Sequence, residues 1–95
     1  MKPREITILT HLGADAEDKI RKFLDIPDDG KILRTIQNKR LAYAIERHGV
    51  RYEYADEYFI SGVKLDSAHI KMLMYILDHS RWCVRYLIVQ TDRRR

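Results

Sequence analysis

The sequence predicts an α+β domain in which four strands form one antiparallel sheet and two helices cover one face of it. The apolar residues change period along the chain in the order strand, helix, strand, strand, helix, strand. A His48-Gly49 pair between the two middle strands is typical of a hairpin tip. The chain has 95 residues, 45% of them apolar and 34% charged, which is enough for one core. We therefore expect a single domain over residues 1–92 and a basic tail at 93–95.

The first strand and the first helix are short. Residues 5–10 are rich in β-branched side chains and end at turn residues, which indicates a strand. The apolar residues that follow at helical spacing are Ala16, Ile20, Phe23 and Leu24. Asp15 is placed to cap this helix, and Pro27 disfavours helix at the residue before it. A turn at 28–30 should then lead into the second strand.

The second strand carries a fault in its alternation. Apolar side chains before and after residue 38 have opposite parity, with Ile32 and Ile36 on one side and Leu41, Tyr43 and Ile45 on the other. A regular strand cannot hold both sets on one face, so we predict a bulge at 37–39, where Asn38 tolerates the left-handed conformation. After the bulge, residues 41–45 should form a half-buried strand. The return strand lies within 52–63, where Gly62 indicates another bulge.

The second helix is predicted to begin at a cap on Asp66 or Ser67. Its buried stripe is expected at Ile70, Leu73, Met74 and Leu77, widened by Met72, Tyr75 and Ile76. The last strand spans 81–90, with Trp82, Val84, Tyr86 and Ile88 on one face and Cys83, Arg85, Leu87 and Val89 on the other. We expect Cys83 to be a buried, unreactive thiol.

The order β-α-β-β-α-β, with two right-handed crossovers and one central hairpin, gives the ferredoxin-like plan. Both helices then lie on one face of the sheet, and the other face meets solvent or a partner. On one choice of parity, Phe59, Leu87 and Val89 point to that uncovered face. An exposed apolar surface of this kind more often marks an interaction site than an accident.

Composition narrows the classes of function. The 18 Lys and Arg against 14 Asp and Glu give a net charge of +4, which is compatible with nucleic acid without demonstrating it. No apolar run approaches the roughly 18 residues that cross a bilayer, so we expect no membrane partner. The chain start lacks the apolar stretch of a secretion signal, and the single cysteine fits a reducing compartment. The 4 histidines are scattered, so we predict no metal and no other cofactor.

One run resembles a known family. Residues 39–45 read Lys39-Arg40-Leu41-Ala42-Tyr43-Ala44-Ile45. They resemble the Arg-Arg-Leu-Ala-Tyr-Pro-Ile run that ends the second strand of the small-subunit ribosomal protein S-six family, which has the same order of strands and helices. Tyr58-Phe59 stands where that family has Gly-Tyr-Phe, and residues 84–89 resemble its closing strand. The chain departs from the family at Ala44, in place of a proline, and at Glu57, in place of a glycine.

The resemblance implies a structural role without catalysis, on the platform of the small ribosomal subunit. The family binds the central domain of the small-subunit rRNA as a pair with ribosomal protein S-eighteen, beside other small-subunit proteins. Cations near strand ends suit contacts with folded RNA, and the candidates are Arg4, Lys39, Arg40, Arg81, Arg85, Arg93, Arg94 and Arg95. The candidates for the protein partner are Leu41, Ala42, Tyr43 and Phe59, with Leu41 and Tyr43 in the core as the alternative. A basic chain with a short first helix suits a mitochondrial ribosome more than a bacterial one.

Three other functions share the same fold. An RNA-recognition motif would need a basic-Gly-aromatic pattern in the third strand, where residues 56–57 are acidic. An acylphosphatase-like enzyme would need an anion-binding loop with an arginine after the first strand, and residues 10–13 contain none. A small-molecule sensor domain has no residue evidence in its favour.

Overall fold

The computed structural model describes residues 3–24 and 33–90. Its elements are β1 (Pro3–Thr10), α1 (Glu17–Leu24), β2 (Leu33–Arg47), β3 (Val50–Lys64), α2 (Ser67–Asp78) and β4 (Cys83–Gln90). The four strands form one sheet in the order β2-β3-β1-β4, and each pair of neighbours is antiparallel. The predicted α+β arrangement is confirmed and is consistent with the ferredoxin-like plan. The predicted turn at 28–30 and the tail at 93–95 lie outside the described residues.

One core joins both helices to the same face of the sheet. It contains Ile6, Ile8, Tyr58 and Ile60 from the central strands, Ile20 and Leu24 from α1, and Ile70, Leu73 and Leu77 from α2. Fully burying an aliphatic side chain of this size stabilises the fold by about 1.5–3 kcal/mol relative to leaving it exposed. These side chains alternate along β1 and β3, and no described helix covers the opposite side of the sheet. We call that side, formed by Thr7, Leu9, Arg34, Phe59, Arg85, Leu87 and Val89, the open face.

The two predicted bulges and the predicted hairpin tip are confirmed. The register between β2 and β3 shifts after Ile36, and Asn38 has φ 57, in the left-handed region. The register between β1 and β3 shifts opposite Gly62, which has φ 75. At the tip, positive φ at His48 and Gly49 matches the right-handed twist of the strands that they join.

A second fault in β2 was not predicted. Arg40 pairs with Tyr54 and Ile45 pairs with Tyr52, so residues 41–44 face a single residue of β3. The expected strand is present, since β2 runs to Arg47, and Leu41 and Ile45 are half-buried, but Tyr43 is 84% exposed. The tight tip fixes the register from one side and the Asn38 bulge fixes it from the other. Between these two points β2 has more residues than β3, so residues 41–44 bulge out of the strand pairing. We call them the 41–44 bulge.

The ends and faces of the helices differ from the prediction in part. Asp66 caps α2 as expected, accepting the His69 N–H at 2.7 Å. Asp15 lies one residue too early to cap α1, because that helix begins at Glu17, and it has φ 54. On α2 the expected wide stripe is wrong, since Met72, Met74 and Tyr75 are exposed. Each residue advances about 100° around a helix, so Met72, Met74 and Tyr75 lie about 100–200° away from Leu73 and point away from the sheet.

The parity predicted for β4 fails at its start. Thr10 pairs with Cys83 while Leu9 pairs with Arg85, so β4 holds one extra residue there. Cys83 and Val84 are both buried as a result, and Cys83 joins the core instead of the open face. Beyond the shift, Leu87 and Val89 lie on the open face as expected. No helix among the described residues is long and apolar enough to cross a membrane.

Candidate nucleic-acid and partner interface

A buried carboxylate holds the Asn38 bulge in place. Asp56 is only 7% exposed. Its Oδ1 accepts the Asn38 N–H at 2.9 Å, and its Oδ2 accepts the Gly13 N–H at 3.2 Å. The left-handed residue turns its N–H toward β3, and the same side chain ties the loop after β1 to the edge of the sheet. Sequence reasoning missed Asp56, because it is one of several acids in β3 and no local pattern marks it as buried.

The bulge presents the two cations that begin the resembling run. Lys39 Nζ lies 3.0 Å from Glu57 Oε1, and the Lys39 side chain is 43% exposed. The guanidinium of Arg40 lies 6.0 Å from the ring centroid of Tyr54, within range of a cation–π interaction. Arg40 is exposed and forms no ion pair with any described residue. One of the two cations is thus paired, and the other rests on an aromatic ring.

The open face is mixed in character. Arg34 lies over Phe59, 5.3 Å from the ring centroid, and covers part of it. Beside this pair is a shallow groove of about 190 Å³, lined by Thr7, Leu9, Arg85, Tyr86 and Leu87. Leu87 is 60% exposed at its rim. The face therefore offers apolar side chains bordered by guanidinium groups.

The sheet register separates the predicted RNA contacts into two sets. Thr10, the last residue of β1, pairs with both Asp56 and Cys83. The end of the sheet at Thr10 therefore carries Lys39, Arg40, Arg81 and Arg85. Lys39 and Arg40 lie on the edge strand β2, whereas Arg85 lies on the opposite edge strand, β4. Three strand spacings of about 4.8 Å put these edges roughly 14 Å apart. Arg81 and Arg85 are exposed, and neither pairs with an acid in the described part of the chain.

Arg4 does not belong to that set. It pairs with Val63 and Gln90 at the start of β1, six residues from Thr10, which is about 20 Å along a strand. Arg4 therefore lies at the opposite end of the sheet from Lys39 and Arg40. Its Nε is buried and has no hydrogen-bond partner among the described residues. Arg93, Arg94 and Arg95 lie outside the described residues.

The predicted partner residues do not form one patch. Tyr43 projects from the 41–44 bulge, which faces Glu53, while Phe59 lies six residues along β3, again about 20 Å away. Ala42 is exposed and Leu41 is half-buried. The alternative that Tyr43 belongs to the core is excluded by its exposure.

The β2–β3 hairpin is hydrogen-bonded to the second helix. Arg47 Nη2 donates to the carbonyl of Asp78 at 3.0 Å, near the C-terminus of α2. Tyr86 donates its hydroxyl to Asp78 Oδ1 at 2.8 Å. Burial, and then this hydrogen bond to the carboxylate, raise the pKa of Tyr86. The sequence offered Arg47 as one cation among many, and nothing in its pattern indicated this role.

The described residues do not assemble a recognisable metal centre. Among them, no three His, Cys, Asp or Glu side chains are grouped so that they could hold a metal ion. Cys83 is buried as predicted, and burial raises the pKa of its thiol to about 11. A thiol with this pKa is protonated near neutral pH and is a poor nucleophile.

No known protein-family model matches the chain, and no curated protein is significantly similar to it.

Proposed function

We propose that this chain is a structural constituent of the small ribosomal subunit, with the role of the S-six family that it resembles. It binds the central domain of the small-subunit rRNA together with ribosomal protein S-eighteen and contacts other small-subunit proteins. It catalyses no reaction and uses no cofactor. Its ribosome is that of the mitochondrial matrix in preference to the bacterial cytoplasm, a choice supported by the basic composition.

The observation that carries the proposal is the Asn38 bulge. It turns the chain at the point where Lys39 and Arg40 begin the run that resembles the family. Because Asp56 fixes the bulge from a buried position, the two cations are presented by rigid backbone. A fixed display of cations at a strand edge suits a folded RNA, which is recognised through its phosphates and its shape.

The pairing of Lys39 with Glu57 is compatible with RNA binding. A partly exposed ion pair of this kind contributes at most about 1 kcal/mol, because water and salt screen it. A phosphate oxygen can therefore replace Glu57 as the partner of Lys39 at little cost. Arg40 needs no exchange, since it has no acidic partner among residues 3–24 and 33–90.

The open face supports a protein partner. It exposes Leu87 and Val89 beside the groove of about 190 Å³ at Thr7 and Leu9. Burying apolar surface yields about 25 cal/mol per Å², so a partner that covers this face would gain affinity there. In the proposed pair, S-eighteen covers the open face and the RNA contacts the edge at Lys39 and Arg40.

Binding to a central-domain rRNA fragment tests the pair. We expect the chain to bind the fragment far better when S-eighteen is present than when it is absent. Equal binding with and without S-eighteen would contradict the pair. Hydrolysis of acyl phosphates above background would contradict the proposal that the chain is not an enzyme.

A second candidate is an RNA-binding module outside the ribosome, of the RNA-recognition-motif kind. The Phe59 ring in the middle of the open face favours it, because such modules stack bases on aromatic rings at this site. Its neighbours in the sheet, Thr7 and Arg34, offer no second ring, and Arg34 already covers Phe59. This candidate predicts that Phe59→Ala abolishes binding of short single-stranded RNA, whereas the ribosomal proposal predicts little change.

A further inference from the structure

We propose that the 41–44 bulge forms a binding pocket for one phosphate group. The bulge leaves a concavity of about 230 Å³ lined by Arg40, Leu41, Ala42, Ala44, Arg51 and Glu53. One water molecule occupies about 30 Å³ of liquid, so a phosphate group fits with water to spare. Four of its lining residues belong to the resembling run, whereas Arg51 and Glu53 belong to the return strand, β3.

Two arginines line this pocket, Arg40 from β2 and Arg51 from β3. Arg40 is held near the ring of Tyr54, with its centre 6.0 Å from the ring centroid. Arg51 Nε lies 3.6 Å from Glu53 Oε2, and both side chains are 63% exposed. That separation is too long for a direct hydrogen bond, so the donors of Arg51 can turn to another anion. Guanidinium groups bind phosphate through paired, charge-assisted hydrogen bonds.

The backbone of the bulge adds polar groups. Residues 41–44 have no partner residue on β3, because the ladder resumes only at Ile45 and Tyr52. Ala42 and Ala44 carry small side chains, which lets a ligand approach the main chain closely. Main-chain N–H groups that lack a ladder partner on β3 can donate to a ligand instead.

The charges of the pocket select a singly charged ligand. The side chains of Arg40 and Arg51 carry two positive charges, and Glu53 removes one. The lining side chains thus carry a net charge of +1, which balances one phosphodiester, while Glu46, opposite Arg51 in the register, lies outside the lining. A phosphate of the RNA backbone fits this balance better than a phosphate ion with two negative charges. This assignment of the ligand rests on the proposed RNA-binding function.

Backbone amide NMR of the full chain tests the pocket with two probes, inorganic phosphate added to the chain alone and the central-domain rRNA fragment added to the chain already bound to S-eighteen. We expect both to shift the amides of residues 41–44, the rRNA fragment at far lower concentration. If inorganic phosphate shifted these amides and the rRNA fragment did not, the pocket would be a site for free phosphate. That result would contradict the RNA-binding function. Binding of the rRNA fragment with no shift at 41–44 would overturn the pocket and leave the RNA-binding function standing.

Charge variants give a second readout in the same experiment. Arg51→Gln should lower the salt dependence of RNA binding by about 0.7 in the slope of log K against log salt, the value for one phosphate of a single strand. Glu53→Gln should tighten binding about fivefold, the effect of removing one charge some 4 Å away in water. Asp18→Asn, an exposed acid on α1, is the matched control for the lost carboxylate. Equal effects of Glu53→Gln and Asp18→Asn would overturn the pocket.

Discussion

At the scale of single residues, Asp56 and Asn38 decide the geometry of the candidate site. A buried carboxylate that accepts two backbone N–H groups fixes a left-handed residue at the edge of the sheet. The bulge at Asn38 followed from the sequence, because a change of parity in a strand requires an extra residue. Its anchor did not follow, since no local pattern pairs Asp56 with a backbone 18 residues away.

Removing the carboxylate should loosen the bulge. Asp56→Ala leaves the N–H groups of Asn38 and Gly13 without an acceptor, so we expect a loss of about 2–4 kcal/mol of unfolding free energy, the cost of two unsatisfied donors reduced by water entry. Denaturation in urea measures it. Asp18→Ala, at an exposed position of α1, is the control and should change stability by less than about 0.5 kcal/mol. Equal losses in the two variants would contradict the role of Asp56.

The Cys83 thiol should make the fold sensitive to alkali. Burial raises its pKa from 9.0 to about 11, so the unfolded chain loses this proton at lower pH than the folded protein does. Stability is therefore intact below pH 9 and falls as the pH rises toward 11. Tyr58 and Tyr86, whose pKa values are also raised, add to the fall. Urea denaturation between pH 8 and pH 11 should show a shallower fall for Cys83→Ala, and an unchanged slope would contradict this account.

At the scale of elements, β2 shows both what the sequence could predict and what it could not. The bulge and the tip are local features, and each has its residue signal in Asn38 or in His48-Gly49. The extrusion of residues 41–44 depends on two registers fixed at separate points, so alternation alone could not reveal it. For the same reason Tyr43 was expected in a half-buried strand and is exposed.

The left-handed conformation at Asn38 can be tested by substitution in both directions. Asn38→Ala should cost about 1 kcal/mol of unfolding free energy, because a Cβ disfavours φ of this sign. Asn38→Gly adopts the conformation without strain and should leave stability nearly unchanged. Urea denaturation measures both variants. Equal losses for alanine and glycine would show that the left-handed conformation is not what residue 38 provides.

The hydrogen bond between the hairpin and α2 predicts a local effect on amide hydrogen exchange. Arg47→Ala removes the hydrogen bond to the Asp78 carbonyl, and we expect faster amide hydrogen exchange in residues 41–51 with a global loss of about 1 kcal/mol. Arg81→Ala, an exposed arginine next to β4, is the matched control and should leave exchange in the hairpin unchanged. Unchanged exchange in the Arg47 variant would contradict the role of Arg47 in holding the hairpin against α2.

At the scale of the whole molecule, the chain presents two separate surfaces. Cations stand at the β2 edge, and apolar side chains occupy the open face. The order of elements was predictable because each long segment keeps one hydrophobic period. The distribution of the cations was not, since only the sheet register shows that Arg4 lies at the end opposite Lys39 and Arg40.

The cations at the β2 edge should contribute to RNA affinity through phosphates. Exchanging Lys39 and Arg40 for alanine should weaken assembly with the rRNA fragment and S-eighteen and flatten its salt dependence by about 1–2 in the slope of log K against log salt. The double variant Lys22→Ala and Lys71→Ala removes the same charge from exposed helix positions and is the control. If the two double variants behaved alike, net charge alone would account for the binding.

Co-sedimentation with ribosomal subunits tests the central claim most directly. The full-length chain, expressed in its own cell, should travel through a sucrose gradient with the small ribosomal subunit and remain there in salt that strips loosely bound proteins. We expect the chain to co-sediment with the mitochondrial small subunit. Co-sedimentation with a bacterial small subunit would leave the ribosomal role standing and change only the compartment. A chain found solely in the free fractions at the top of the gradient would contradict the ribosomal role.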